Sequence, residues 1–309
     1  MEFIRVEDCC EILDSQRKPV TESERVPGIY PYYGANGIQG TINQYIFDDK
    51  LVLVAEDGGH FGSKTKPIAY LVNGKCWVNN HAHVLRAKKG YLAEYICYSL
   101  MFYKIEGYIN GATRQKLTQA ALRKLIIPKR SVEYQKAIVD RLDLGKCIIE
   151  KKQNIVNELD LLIKSRFVEM FGNPIINDKK YPVFKLKDIS QKIGSGFTPR
   201  GGNSNYIDEG IAFIRSMNVY NNTFKKDNLV YIDEFLAKQL SQVEVFSNDL
   251  LLNITGASVA RCCTVPDHIL PARVNQHVCI IRQCKISNIF LEYCLTNESY
   301  QEYLLLLSN

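Results

Sequence analysis

Side chains able to do bond chemistry are few along this chain of 309 residues. His81 and His83 lie two apart, a spacing that puts both on one face of a strand and could suit a metal ion. A matching stretch further along has His277 but puts Cys279 in the second place, which argues against a shared metal site. The ten cysteines include the adjacent pairs Cys9-Cys10 and Cys262-Cys263 but no C-x-x-C. That placement predicts reduced, mostly buried thiols, not a zinc ligand set or a disulfide framework. Asn173-Pro174-Ile175-Ile176 approaches the Asn-Pro-Pro-aromatic motif of amino-methyltransferases. It lacks the second proline and the aromatic that stacks on a flipped base, and it follows a helical pattern instead of a strand, so it reads as a helix stop. Gly194-Ser195-Gly196 fails the dinucleotide spacing, and neither a phosphate loop nor a nucleophile–base signature is present. Catalysis, a resident metal and a cofactor on this chain are therefore not expected.

Binding chemistry is better represented. Loops rich in glycine, amides, aromatics and basic residues supply Arg17, Lys18, Tyr32, Asn36, Lys64, Asn79, Asn80, Thr113, Arg114 and Lys116 in the first half. The second half supplies Thr198, Arg200, Arg215, Thr255, Arg261, Asn275 and Gln276. Arginine and lysine hold phosphates, while arginine, asparagine and glutamine pair bidentately with guanine or adenine edges. The net charge of +6 suits an anionic partner without demanding one. The opening MEFIRVEDCC is too polar for a signal peptide, and no apolar run reaches membrane-spanning length, so a cytoplasmic protein is expected.

These residues recur because one building block occurs twice. Val78-Asn79-Asn80-His81 through Arg86 aligns without a gap on Val274-Asn275-Gln276-His277 through Arg282, positions 78 and 274 giving a shift of 196. Asp8 and Pro19 fall on Asp188 and Pro199, a shift of 180, and Tyr91-Leu92 on Phe290-Leu291, a shift of 199. The pattern predicts an α+β fold: a first module over 1–130, a spacer helix over 131–172 and a second module over 173–309. Short strands are expected at Tyr45–Phe47, Leu51–Ala55, Ile68–Val72, Ala212–Ile214, Leu250–Ile254 and Cys279–Ile281, with loops at Asn36-Gly37, Asp57-Gly58-Gly59, Asn73-Gly74 and Lys89-Gly90. The spacer carries an imperfect heptad seam of Ile138, Leu142, Ile149, Val156, Leu159 and Ile163, as a coiled coil would.

The ordered segments GIYPYYGANGIQG, LVLVAEDGG, VNNHAHVLRA, INGATRQKLTQAALRKLIIP, GSGFTP, DLLLNITGAS and RVNQHVCIIR resemble those of the specificity subunit of type I restriction–modification systems. The resemblance implies two target-recognition domains, each reading one half of a split DNA sequence, with helical spacers setting the gap. It implies a non-catalytic subunit, partnered by a modification subunit carrying S-adenosylmethionine and a restriction subunit using ATP and Mg. Residue arithmetic places Asn309 on Asn110, so the second copy is expected to lack its closing loop and a second spacer, roughly 60 residues. The chain then looks C-terminally truncated, and its lone seam is expected to seek a partner in trans. The alternative function is an inactive truncated subunit serving as an interaction scaffold or a rearrangement reservoir.

Overall fold

A computed structural model describes residues 2–111 and 115–308 of the chain, side chains at 283 and 284 excepted. The chain divides into two units, Met1–Gln153 and Asn154–Asn309. The α+β class and the long helix are as expected: one helix, Val132–Phe171, runs for 40 residues, about 60 Å at the usual rise.

The first unit is built on a six-stranded sheet in the order Cys10–Ile12, Ala82–Ala87, Phe47–Ala55, Ala69–Val78, Tyr30–Gly34, Gly37–Ile42. Its centre is the run Leu51–Ala55, entirely buried because its two faces enter different cores. Val52 and Val54 pack with Leu85, Ile96 and Leu100. Leu51 and Leu53 pack with Val72, Val78 and Val84 on the other side. A strand buried on both faces reads as continuous apolar sequence instead of an alternating one. Asn73-Gly74 does not end a strand, contrary to expectation. Strand Ala69–Val78 runs through it, pairing Lys50 with Asn73 and Asp49 with Gly74, and Gly74 takes φ +85° without breaking the ladder. At the unit's edge Phe3–Arg5 pairs antiparallel with Ile126–Pro128. The start of the long helix is fastened by buried Gln135, which accepts from Leu92 N and donates to Gly90 O.

The second unit repeats this plan with its sheet divided. One four-stranded sheet orders Ser190–Ser195, Val278–Cys284, Leu250–Asn253, Cys262–Thr264. The other orders Val230–Ile232, Ile211–Ile214, Ala272–Val274, Glu244–Val245. The unbroken strand Ala69–Val78 of the first unit thus has two shorter counterparts, Cys262–Thr264 and Ala272–Val274. Pro266 and Pro271 stand between them, and proline has no N–H to give a ladder. The helix end is held by Phe167, which packs on Phe171, Phe290 and Tyr293 with ring centroids 5.0, 5.5 and 5.7 Å away. Gly172 at φ +76° stops the helix, and Asn173 Oδ1 accepts from Ile175 N and Ile176 N, as a helix stop requires. All nine described cysteines are free thiols. No described helix is long and apolar enough to cross a membrane.

Candidate nucleic-acid interface

The two units share one local device made from two facing loops. In the first, the turn Asn79-Asn80-His81 joins strands Ala69–Val78 and Ala82–Ala87. Asn79 is 4% exposed, and its Oδ1 accepts from His81 N at 2.8 Å, closing an Asx turn. Its backbone N–H donates to Tyr33 O at 3.0 Å, and His81 O accepts from Glu56 N at 2.9 Å. The His81 ring meets the opposite loop through Nδ1 and Asp57 Oδ1, 2.6 Å apart.

The second unit reproduces each of these bonds. Asn275 is 7% exposed, and its Oδ1 accepts from His277 N at 3.2 Å. Its N–H donates to Ile214 O, and His277 O accepts from Ile254 N, each at 3.0 Å. Sheet register makes these true counterparts. Tyr33 and Val78 are parallel partners as Ile214 and Val274 are, while Ala55 faces Ala82 as Asn253 faces Val278. Asp57 then corresponds to Thr255, whose Oγ1 lies 2.5 Å from His277 Nδ1. The net result in both units is a rigid turn whose central residue, Asn80 or Gln276, is exposed.

Beneath the first unit's turn lies a buried charge cluster. His83 is fully buried, with Nδ1 2.6 Å from Asp14 Oδ2 and Nε2 2.8 Å from Leu117 O. Both ring nitrogens thus face oxygens. Asp14 also accepts from Val84 N and Gln119 Nε2. Glu56 pairs with Arg17 at 2.6 Å and Lys116 at 3.0 Å. Burial alone would raise both carboxyls, but the hydrogen bonds and charge of His83 hold Asp14 below the ordinary carboxylate range. Arg17 and Lys116 do the same for Glu56. The ligand atoms of Asp14, Glu56 and His83 lie close enough for a metal ion, but these side-chain cations already neutralise the carboxylates. The pairing of His81 with His83 considered for a metal does not form: each histidine has its own acid. Arg17 also donates to Ala82 O at 2.7 Å, which ties the cluster to the turn above. In the second unit Cys279 takes the place of His83, and burial pushes its thiol up.

Beside the second unit's turn is a cavity of about 500 Å³ lined by Tyr220, Thr255, Ser258, Arg261 and His277, among others. The Arg261 guanidinium sits 4.4 Å and the Lys225 ammonium 3.8 Å from the Tyr220 ring centroid. Two cations on one aromatic make a positively charged wall, suited to a phosphate or a base face.

The residues singled out from sequence separate into two groups. Arg17, Tyr32, Asn79 and Asn275 are framework, not surface readers. Arg17 is consumed by Glu56 and Asp14, and the Tyr32 hydroxyl is bound to Val20 N and O with its ring 1% exposed. The two asparagines build the turns. Lys18, Asn36, Lys64, Asn80, Arg200, Thr255 and Gln276 are exposed. Asn36 donates to Gly58 O at 2.9 Å and so joins the Asp57 loop to the turn at Gly37. Lys116 is half-exposed while paired with Glu56. Arg215 donates to Asn228 O, and both its Nε and Thr198 Oγ1 are buried without a hydrogen-bond partner. Thr113 and Arg114 lie outside the described residues. Sequence reasoning passed over Asp57, Tyr220 and the orienting role of His81 and His277. Aligning the loops Glu56-Asp57-Gly58 and Ile254-Thr255-Gly256 as well as the turns would have found Asp57.

Comparison with known proteins gives a consistent likeness. Residues 1–161 match the family described as type I restriction modification DNA specificity domain. A Haemophilus influenzae protein named as a type I restriction enzyme specificity subunit is 32% identical over 193 residues, covering 61% of this chain and 50% of that one. A Mycoplasma pneumoniae protein named as a type I specificity subunit is 24% identical over 199 residues, covering 61% and 52%. The matched stretch thus spans about half the length of these curated relatives. The fold resembles that of the type I restriction–modification S subunit from M. genitalium, with a TM-score of 0.56 at 13% identity over 99% of this chain and 78% of that one.

Proposed function

The chain belongs to the type I restriction-modification DNA specificity family, and on that premise we propose that it reads a bipartite duplex DNA target, one half with each unit. The observation that carries this reading is the duplicated two-loop device, which holds an amide side chain outward in both units. A protein reading one continuous site has no need of the same rigid display twice. The chemistry fits the major groove, where amides and arginines distinguish base pairs and surrounding cations hold phosphates. We further propose that the chain performs no catalysis. Methyl transfer with S-adenosylmethionine, and ATP- and Mg-dependent cleavage, would belong to partner modification and restriction subunits in the cytoplasm.

Duplex binding by the full chain should weaken steeply with salt, because each phosphate neutralised releases counterions. With about six phosphate contacts, affinity should fall roughly a thousandfold between 50 and 200 mM salt. Fluorescence anisotropy on a labelled duplex at several salt concentrations reads the slope. An affinity unchanged across that range would remove the proposal.

The long helix supplies the partner surface in this reading. Ile138 packs against the first unit's core, but Leu142, Ile149, Val156, Leu159 and Ile163 are between 43% and 70% exposed. We propose that this stripe packs on helices of the modification subunit or of a second copy. Burying one such side chain contributes about 1.5–3 kcal/mol. Because these two side chains are about half exposed, the double change Val156→Glu and Leu159→Glu should weaken association by about 1.5–3 kcal/mol. Sedimentation across micromolar concentrations, alone and with the modification subunit, checks it. Identical behaviour of the variant and the parent would eliminate the stripe as an interface.

A further inference from the structure

We propose that Asn80 and Gln276 are matched readers of adenine, one in each half of the target, with His277 as the positioning residue of Gln276. This inference rests on the DNA-reading function proposed above and adds to it which side chains face the bases and which base they select.

The two tips are equivalent in backbone as well as in sequence. Each follows a buried asparagine whose N–H and Oδ1 are both committed, and each precedes a histidine whose carbonyl is tied to the facing loop. The tip therefore has almost no backbone freedom to lose on binding, which lowers the cost of ordering it against a base. Both tips carry a primary amide, the group that presents one donor and one acceptor side by side. That pair matches adenine N7 and N6 in the major groove.

In the second unit the histidine completes the display. Gln276 Nε2 lies 3.1 Å from His277 Nε2. An amide nitrogen only donates, so this ring nitrogen accepts and Nδ1 carries the proton, which it gives to Thr255 Oγ1. One Gln276 N–H is thereby fixed by the ring, and the other N–H and Oε1 are left to face outward in a set orientation. In the first unit the Asp57 carboxylate takes the place of Thr255 and holds the His81 ring through Nδ1.

The test is selection of bound duplexes from a random pool by the full chain and its variants, scored position by position. Asn80→Ala should reduce adenine preference about tenfold or more at one position of one half-site, and Gln276→Ala should do so at one position of the other half. Asn80→Asp and Gln276→Glu should move preference toward cytosine, because a carboxylate accepts from the cytosine amino group. His277→Ala should flatten the same position as Gln276→Ala while leaving the salt slope as it was. His277→Asn, which keeps a donor toward Thr255, should restore part of the preference. A wild-type motif left unchanged by all four tip variants, or blurred equally in both halves, overturns this inference while the DNA-reading function stands. A wild-type chain that selects no motif overturns both.

Discussion

Replacing Arg282 with alanine is expected to destabilise the protein by about 3–5 kcal/mol, the cost of stranding a buried charge. Arg282 forms a two-point pair with Asp249, Nε to Oδ1 at 2.8 Å and Nη2 to Oδ2 at 2.6 Å. The Asp249 side chain is 1% exposed. Asp249 also accepts from Phe246 N, and Arg282 lies 3.9 Å from the Phe246 ring centroid and donates to Glu244 O. Removing the guanidinium leaves the carboxylate with one backbone donor and no countercharge. The repeat supplies an internal control. Arg86 occupies the corresponding place and pairs with Asp49 and Glu11, but those side chains are 35% and 55% exposed. Arg86→Ala should therefore cost no more than about 1 kcal/mol. Urea unfolding of the two variants separates the cases, and equal losses would refute the assignment of the difference to burial.

Asp14→Ala should produce a loss of similar size in the first unit, again about 3–5 kcal/mol. It leaves the fully buried His83 Nδ1, Val84 N and Gln119 Nε2 without their Asp14 partner. The same variant should change the response to acid. A carboxyl held below its unfolded value near 3.9 adds stability that is complete above that value and is lost as pH falls through the lower folded value. Asp14 and Glu56 both have this sign. The parent should thus lose stability on acidification below about pH 4, and Asp14→Ala should show a shallower decline. Thermal melts from pH 6 to pH 2.5 measure both effects. An acid limb as steep in the variant as in the parent would exclude Asp14 as its source. Because Arg17 links this cluster to Ala82 O, the variant should also loosen the turn at Asn80 and, on the proposed reading, weaken half-site discrimination there.

How far these sites could be read in advance depended on whether their partners were near in sequence. The long helix was legible because its seam and its Gly172-Asn173-Pro174 stop are local signals. The turns at Asn79 and Asn275 were legible because the repeat aligns them residue for residue. Their inner workings were not: both asparagines look like surface amides, and only the hydrogen bonds they make show that they build the turn. Arg17 looked like a phosphate ligand because its partners Glu56 and Ala82 are 39 and 65 residues away. Asn73-Gly74 carries a strong turn signal, yet eight consecutive pairings with strand Phe47–Ala55 override it, as tertiary contacts override local preference. The divided sheet of the second unit was foreshadowed by Pro266 and Pro271, whose meaning emerges only beside the unbroken strand of the first.

The backbone ties at each turn carry a consequence for how such a protein changes through descent. Asn79, His81, Asn275 and His277 bear the structural obligations, and the residue between each pair bears none that the fold depends on. Divergence at positions 80 and 276 is therefore nearly silent for folding, and on the proposed reading selection there is left to act on the DNA sequence recognised. A lineage could acquire a new target one substitution at a time, without passing through an unstable ancestor.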